Sequence, residues 1–319
     1  MIWKKLFSSV LPLVFLTSCA APAEQTRTKT VWVMDTACTM TLQGGDTEEV
    51  AQLLQSLDKA LDNYAPDSAV SRLNRDGTLS GNAYVSDLVS RTLEYNERYG
   101  DLVDITIGAL TKLWGITTET PHVPSQAELD GVLPTVSPAH VTAENDTVTL
   151  TDGAQLDAGA VAKGYGLDCV KQLLDEAGET SYGTVSMTSS ILFYGEKPGG
   201  KPFTVEIRDP DGDGILGTVS TEACFLSTSG GYERYFTADD GKEYCHILDP
   251  VTGMPAESDL TTVTVFCGSG LQSDFLSTLI WLEGTEHIDR HLQAEDYKIV
   301  AQDISGTLYI SDGLQFETI

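Results

Sequence analysis

The stretch at residues 156–168, LDAGAVAKGYGLD, constrains the rest of the chain more than any other. Leu156 and Asp157 end a run that reads as a strand, and Ala158, Gly159, Ala160 and Ala162 follow as a small-residue turn where backbone can approach a ligand closely. From about Val161 the pattern turns helical. Leu167, Val170, Leu173 and Leu174 recur at helical spacing until Gly178 stops the run. This order suits an anion, because the first N–H groups of a helix lack partners and carry partial positive charge. Lys163 adds a full positive charge at the same end, against the helix dipole, and a bound anion would supply the reason. A tight turn that only packs a helix on a sheet accounts for these residues equally well.

A chain of 319 residues suffices for one large domain or two small ones. Its formal net charge of -28 argues against nucleic acid and anionic membrane surfaces as partners. A diphosphate would be repelled by such a field unless a local cation offset it, so the acidity points toward metal-assisted anion binding. At the N-terminus, Lys4 and Lys5 precede a short apolar run at residues 6–16, too short to span a bilayer and suited to a signal peptide. The LTSC that ends at Cys19 resembles a lipobox, which gives a signal peptide over 1–18, lipidation at Cys19 and a flexible tether over 19–30. A plain secretory signal with an incidental cysteine is the alternative. Cys38, Cys169, Cys224, Cys245 and Cys267 form no CxxC pair, which disfavours a zinc knuckle, and they read as buried free thiols without an essential disulfide.

In chain order, residues 31–42 read as a strand and 46–61 as an amphipathic helix capped by Asp46 or Thr47. Pro66, Asp67 and Ser68 start a turn into a short helix over 68–74, and Tyr64 at that junction reads either as a core-edge ring or as one that stacks on a planar ligand. A helix over 84–99 stops at Gly100. Asp104, among apolar neighbours, must be hydrogen-bonded, as a cap of the helix at 108–114 or as a ligand contact. Ser125 and Glu128 give a capping box, and 140–156 a hairpin turning at 144–146. Strands are expected over 183–194, 202–208, 217–228, 232–237 and 261–267, with two more within 297–310. DPDGDG at 209–214 lacks the glutamate and helix pair of an EF-hand and reads as an acidic turn. His246 stands at a strand end, where a lone histidine is more often structural than catalytic. In the helix over 271–284, Asp274, Ser277 and Thr278 share one face. That face reads either as a capping cluster of Ser273 with Asp274, or as a hard-cation site completed by substrate phosphates. The pattern is α+β, one compact domain over 31–319 with two subregions.

LDNYAPDSAVSRLN, VDITIGALTKLWG, LDAGAVAKGYGLD, STSGGYERYF, HILDPVTGMP and SDFLSTLIWL occur in that order and, with the LTSC motif, resemble the ApbE family of FAD:protein FMN transferases over roughly residues 30–312. The resemblance implies a T-fold-like domain with mixed or antiparallel sheets and flanking helices. It also implies a Mg2+-dependent enzyme that cleaves FAD, its substrate, moves FMN to a Ser or Thr hydroxyl of an exported target protein and releases AMP. Met34, Tyr64, Leu102, Val103, Asp104, Asp157, Lys163 and Leu248 would contact FAD. The magnesium would take the Ala160 carbonyl, Asp274, Thr278 and Ser277, the last at a position where the family often carries an acid. His246 would act as base on the incoming hydroxyl, and Cys19 would anchor the chain to the outside of a bacterial membrane by lipid alone. One departure stands out. Ser186, Met187, Thr188, Ser189 and Ser190 lie where many members have Asn-x-Gly-Gly-Asp/Asn. The change bears on how the flavin ring or target peptide is held, or marks a member with reduced transferase activity. A Mg2+-dependent FAD pyrophosphatase and a non-catalytic FAD-binding lipoprotein are the alternatives.

Overall fold

The computed structural model describes residues 25–210, 212–231, 234–238 and 241–318. The expected signal peptide and Cys19, the expected lipidation site, lie outside these residues. The first described element begins inside the expected tether: β1 (Thr26–Val33) pairs antiparallel with β2 (Thr36–Gly44). The single strand expected over 31–42 is therefore a hairpin. It breaks at Met34 and Asp35, whose φ angles of 49° and 55° are the left-handed pair that a two-residue turn requires. α1 (Thr47–Leu61) follows, with the Asp46 carboxylate accepting the Glu48 N–H at 2.8 Å. Ser68 caps α2 (Ala69–Asp76), β3 (Thr78–Ser80) is short, and Asn82 caps α3 (Ala83–Tyr99). α4 (Gly108–Trp114) precedes α5 (Gln126–Val132), where the Ser125 and Glu128 capping box is present. β4 (Val141–Glu144) and β5 (Thr147–Leu150) form the expected hairpin. α6 (Ala162–Ala177) ends on Gly178 in the left-handed conformation.

The second half is mostly strand. β6 (Thr180–Met187) and β7 (Ser190–Gly195) form a hairpin where one strand was expected, turning at Thr188 and Ser189. β8 (Phe203–Arg208), β9 (Ile215–Thr221) and β10 (Cys224–Gly230) follow, so the strand expected over 217–228 is also two. β11 (Tyr235–Thr237), β12 (Glu243–Cys245) and β13 (Leu260–Cys267) lead into α7 (Gly270–Glu283). The chain closes with α8 (Ile288–Leu292), β14 (Tyr297–Asp303), β15 (Leu308–Ile310) and β16 (Gln315–Thr318).

Eight strands make one antiparallel sheet in the order β1-β2-β6-β7-β10-β13-β14-β15. Alternation along each strand sends neighbouring residues to opposite faces. Leu192, Phe225, Val265 and Ile299 point into a core roofed by helices, with Leu54, Leu57, Leu88, Val170, Phe275 and Ile280. Phe193, Leu226, Phe266 and Val300 point the other way, against Phe203, Ile207 and Val219 of the small sheet β16-β9-β8. A third cluster, Leu110, Trp114, Leu129, Tyr244 and Leu248, forms a separate lobe. α7 packs on α6, β10 and β13 and is buried along most of its length, which explains why its sequence is apolar nearly all round. The result is α+β, with antiparallel sheets and flanking helices.

Candidate active site

The small-residue turn is held from both sides before it reaches α6. Asn74 bonds both backbone groups of Leu156, accepting its N–H at 2.6 Å and donating to its carbonyl at 2.9 Å. The Asp157 N–H donates to the Ile105 carbonyl at 2.7 Å. The Asp157 carboxylate then folds the turn, accepting the Gly159 N–H at 2.8 Å, the Thr111 hydroxyl at 2.7 Å and the Asn63 amide at 3.2 Å. Gly159 and Ala160 stay exposed. Val161, at the N-cap of α6, has no side chain that can cap, and the first turn holds no acid to offset Lys163.

The missing cap comes from α7. Asp274 Oδ2 accepts the Gly164 N–H at 2.6 Å, so a carboxylate from late in the sequence sits at the start of the central helix. Its other oxygen accepts the Ser190 hydroxyl at 2.7 Å and the Ser227 hydroxyl. Asp274 is buried, and burial pushes its carboxyl above the usual carboxylate range against the pull of the Lys163 charge and these donors. One turn on, the Ser277 and Thr278 hydroxyls lie 2.9 and 3.2 Å from the Ser229 hydroxyl. The α7 N-cap is Ser269, so the capping role considered for Ser273 with Asp274 is not the one they take in α7.

A cavity of about 790 Å³ opens at this junction, within the range of small-molecule and cofactor sites. Met34, Tyr64, Leu102, Val103, Asp104, Asp157, Ala160, Lys163, His246, Leu248, Asp274, Ser277 and Thr278 all border it, which is every expected site residue except Cys19. Tyr64 stands at the rim, 46% exposed, its backbone fixed by the Asp62 carboxylate at 2.7 Å. Met34 hangs from the first hairpin with its N–H on Asp58 at 3.0 Å. The buried Asp104 accepts the Thr106 N–H and hydroxyl at 2.7 and 2.8 Å and does not cap α4, whose N-cap Ile107 makes no side-chain bond.

His246 is half-buried, with Nδ1 3.1 Å from the Arg234 carbonyl. That bond assigns the ring proton to Nδ1 and leaves Nε2 as an acceptor. Burial lowers its pKa to about 4, with the Arg234 and Lys163 charges acting in the same direction, so the ring is neutral at pH 7. Lys163 itself donates to the Ser189 hydroxyl.

Two hydroxyls of this site, Ser227 and Ser229, were not singled out by the sequence, and Ser189 and Ser190 stood out only as part of the departure at 186–190. Ser227 and Ser229 alternate along β10, and the strand period of two would have placed them on one face. Of the Gly pair in STSGGYERYF, Gly230 borders the cavity, while a Cβ on Gly231 would lie 3.0 Å from the Trp281 ring. The departure at 186–190 is the β6–β7 turn. Thr188 adopts φ 58°, a left-handed conformation costly for a β-branched residue, and its hydroxyl lies 2.8 Å from that of Thr36.

Around the cavity, carboxylates outnumber cations: Asp35, Asp58, Asp62, Asp104, Asp157, Glu206 and Asp274 against Lys163, Arg208 and Arg234. An anionic ligand needs further positive charge here. Among the described residues no group of three His, Cys, Asp or Glu is placed to hold a metal by itself. The available donors are one carboxylate, hydroxyls and a carbonyl, all hard oxygens. This set fits a magnesium ion that draws its remaining ligands from substrate phosphates.

The sequence matches the ApbE family over residues 34–301. The FAD:protein FMN transferase of Treponema pallidum is 35% identical over 263 residues, covering 75% of this chain and 71% of that protein. That of Escherichia coli K12 is 30% identical over 252 residues, with the same coverage of 75% and 71%. The crystal structure of the ApbE protein of Thermotoga maritima shares the fold, with a TM-score of 0.82 at 24% identity over 90% of this chain and 97% of that one. The apo form of the flavinyl transferase ApbE of Pseudomonas stutzeri gives 0.78 at 27% identity, over 90% and 95%. The extent of the family match and the identity to the Treponema protein together make this chain a member of the ApbE family.

Proposed function

We propose that this chain is a flavin transferase that uses Mg2+ to move FMN from FAD to a Ser or Thr hydroxyl of an exported protein, with release of AMP. The observation that carries the reading is the hydrogen bond from the Gly164 N–H to Asp274, which brings a late carboxylate to the small-residue turn beside a cavity of cofactor size. The relatives, FAD:protein FMN transferases, support the transfer of FMN from FAD to a protein.

Asp274, Ser277, Thr278 and the Ala160 carbonyl would hold the metal. When bound, it neutralises charge on the phosphates during transfer. The rest follows from the chain's own groups. The Lys163 ammonium and the first turn of α6 add fixed positive potential toward the phosphates. Asp157 keeps the turn that leads into α6 folded. Tyr64 stacks on a planar ring at the rim. His246 takes the hydroxyl proton on Nε2 as that oxygen bonds to the FMN phosphorus, and the bond from that phosphorus to the bridging oxygen breaks, leaving AMP. The lipobox-like LTSC supports an extracytoplasmic, lipid-anchored location, where an exported acceptor would be met.

The test is intact-mass spectrometry of a candidate acceptor after incubation with FAD, Mg2+ and this protein. The expected result is an added FMN mass with one AMP released per transfer. AMP released at the same rate without acceptor, and no flavin attached to protein, would replace the transferase with a pyrophosphatase. Tight FAD binding without AMP over hours would leave a flavin-binding lipoprotein.

A further inference from the structure

The crossing of α6 and α7 is built twice from one spacing. Gly164 precedes Asp168 by four residues in α6, and Gly270 precedes Asp274 by four in α7. A Cβ on Gly164 would lie 2.0 Å from the Gly270 carbonyl oxygen, and one on Gly270 would lie 2.2 Å from the Gly164 carbonyl oxygen. The two backbones therefore touch. Each helix sends its aspartate to the first turn of its partner. Asp274 accepts the Gly164 N–H at 2.6 Å, and Asp168 accepts the Gly270 N–H at 2.6 Å and the Leu271 N–H at 3.2 Å.

The two carboxylates differ in their remaining partners. Asp168 is paired with the Arg91 guanidinium and accepts the Ser269 hydroxyl at 2.9 Å, and Arg91 also donates to Ser269 at 3.0 Å. Its charge is matched within the protein. Asp274 has hydroxyls from Ser190 and Ser227 in those places and borders the cavity. No ion pair involving Asp274 is formed among the described residues.

We propose that Asp168, clamped by Arg91, is a positioning residue for the Asp274 site. It pins the unpaired N–H groups at the start of α7 to α6, and so fixes where the Asp274 carboxylate stands relative to the α6 turn that carries the Ala160 carbonyl. A displacement of about 1 Å at such a site costs roughly 100-fold in rate. This inference rests on the metal-dependent reading given under Proposed function.

The test uses Asp168→Asn and Arg91→Lys in the full-length protein. Mn2+ binding is followed by water-proton relaxation with ADP as an uncleaved diphosphate, a readout independent of turnover. For Asp168→Asn, the Mn2+ dissociation constant and the Mg2+ concentration for half-maximal FAD cleavage should both rise at least tenfold. The KM for FAD at saturating Mg2+ should stay within threefold. Arg91→Lys, which keeps the charge beside Asp168, should leave both metal constants within threefold of the parent. A folded Asp168→Asn with parental Mn2+ affinity overturns the proposal and leaves the metal reading intact. If Asp168→Asn does not fold, Arg91→Gln takes its place, with the same tenfold rise expected and parental affinity again overturning the proposal. A parent protein that shows no Mn2+ binding and cleaves FAD in EDTA sinks the metal reading and this inference with it.

Discussion

α7 carries a buried carboxylate toward its N-terminal end, Asp274, and a half-buried one at its C-terminus, Glu283, and the two are satisfied in opposite ways. At the C-terminal end, Glu283 faces the unfavourable pole of the helix dipole. It is paired with the Arg290 guanidinium, and His291 Nε2 lies 2.7 Å from its other oxygen, while His291 Nδ1 lies 2.7 Å from the Tyr297 hydroxyl. Burial alone would raise the Glu283 carboxyl, but the hydrogen bonds and charges of His291 and Arg290 outweigh it and hold the group below the usual carboxylate range. At the N-terminal end, Asp274 receives only uncharged donors and burial prevails, pushing its carboxyl up. The chain thus gives Glu283 an ion pair within the frame, and gives Asp274, which borders the cavity, hydroxyl and N–H donors with the Lys163 charge acting only through space. Removing a framework charge should cost stability, and removing the cavity charge should cost chemistry.

Asp274→Asn is the sharpest test. The amide oxygen can still accept the Gly164 N–H, so Tm should stay within about 3 °C of the parent, roughly 1 kcal/mol for a chain of this size. Metal-dependent FAD cleavage should fall by about 1000-fold, or ~4 kcal/mol of transition-state stabilisation. A variant that lost stability and kept its Mg2+ dependence would reverse the roles of the two ends. His246→Ala comes next, with a loss of about 100-fold in transfer to the acceptor. The parent should keep its transfer activity as pH falls through 6.5 and lose it only near about 4, because the folded ring resists protonation. The stability that the neutral ring contributes is complete above the unfolded pKa of about 6.5 and is lost as pH falls toward about 4. A pH–rate profile with its midpoint near 6.5 would remove His246 from the role of base.

How far the sequence revealed this arrangement depended on the range of the interaction. Local signals held: of the two caps offered for α1 the structure uses Asp46, and the Ser125 capping box and the Gly178 stop are where the sequence placed them, while Ser68, expected as the first helical residue, is the N-cap of α2. The hairpin within 31–42 carried no clear turn signal, because Met34 is not a residue that favours the left-handed region and Asp35 alone does not mark a two-residue turn. The same holds for Thr188 between β6 and β7. Helical spacing put Asp274, Ser277 and Thr278 on one face, but spacing carries no information on what that face meets. The serines of β10 that meet it, and the Gly164 N–H more than a hundred residues earlier, depend on tertiary packing.

Glu283→Gln probes the opposite end of the helix. Removing the acid leaves the buried His291, and with it the half-exposed Arg290, without its partner and should cost about 3 kcal/mol, a Tm drop of roughly 6–12 °C. Turnover per folded molecule at 25 °C should change less than twofold. Because the folded Glu283 pKa is depressed, its contribution is present above the unfolded carboxylate pKa and lost as pH falls through the lower folded value, so the gap between parent and variant should close in acid. A gap that stayed constant from pH 7 down to pH 3 would mean that charge is not what holds this end of α7.

The smallest effect is expected at Tyr64, which belongs to neither carboxylate. Its ring is 46% exposed at the cavity rim and its hydroxyl lies 3.5 Å from that of Thr117, so it is poorly held by the protein alone. Stacking of this kind contributes about 0.5–1.5 kcal/mol, so Tyr64→Ala should weaken FAD binding by roughly 3- to 10-fold. Tyr64→Phe, which keeps the ring, should bind FAD as the parent does. The Mg2+ concentration for half-maximal cleavage should be unchanged in both, because the hydrogen bonds of Tyr64 go to Asp62 and Thr117 and not to Asp274, Ser277 or Thr278. If Tyr64→Ala raised the metal requirement in step with the flavin constant, the rim and the charged floor of the cavity would form one coupled site, and the contrast between the two ends of α7 would not be enough to locate the chemistry.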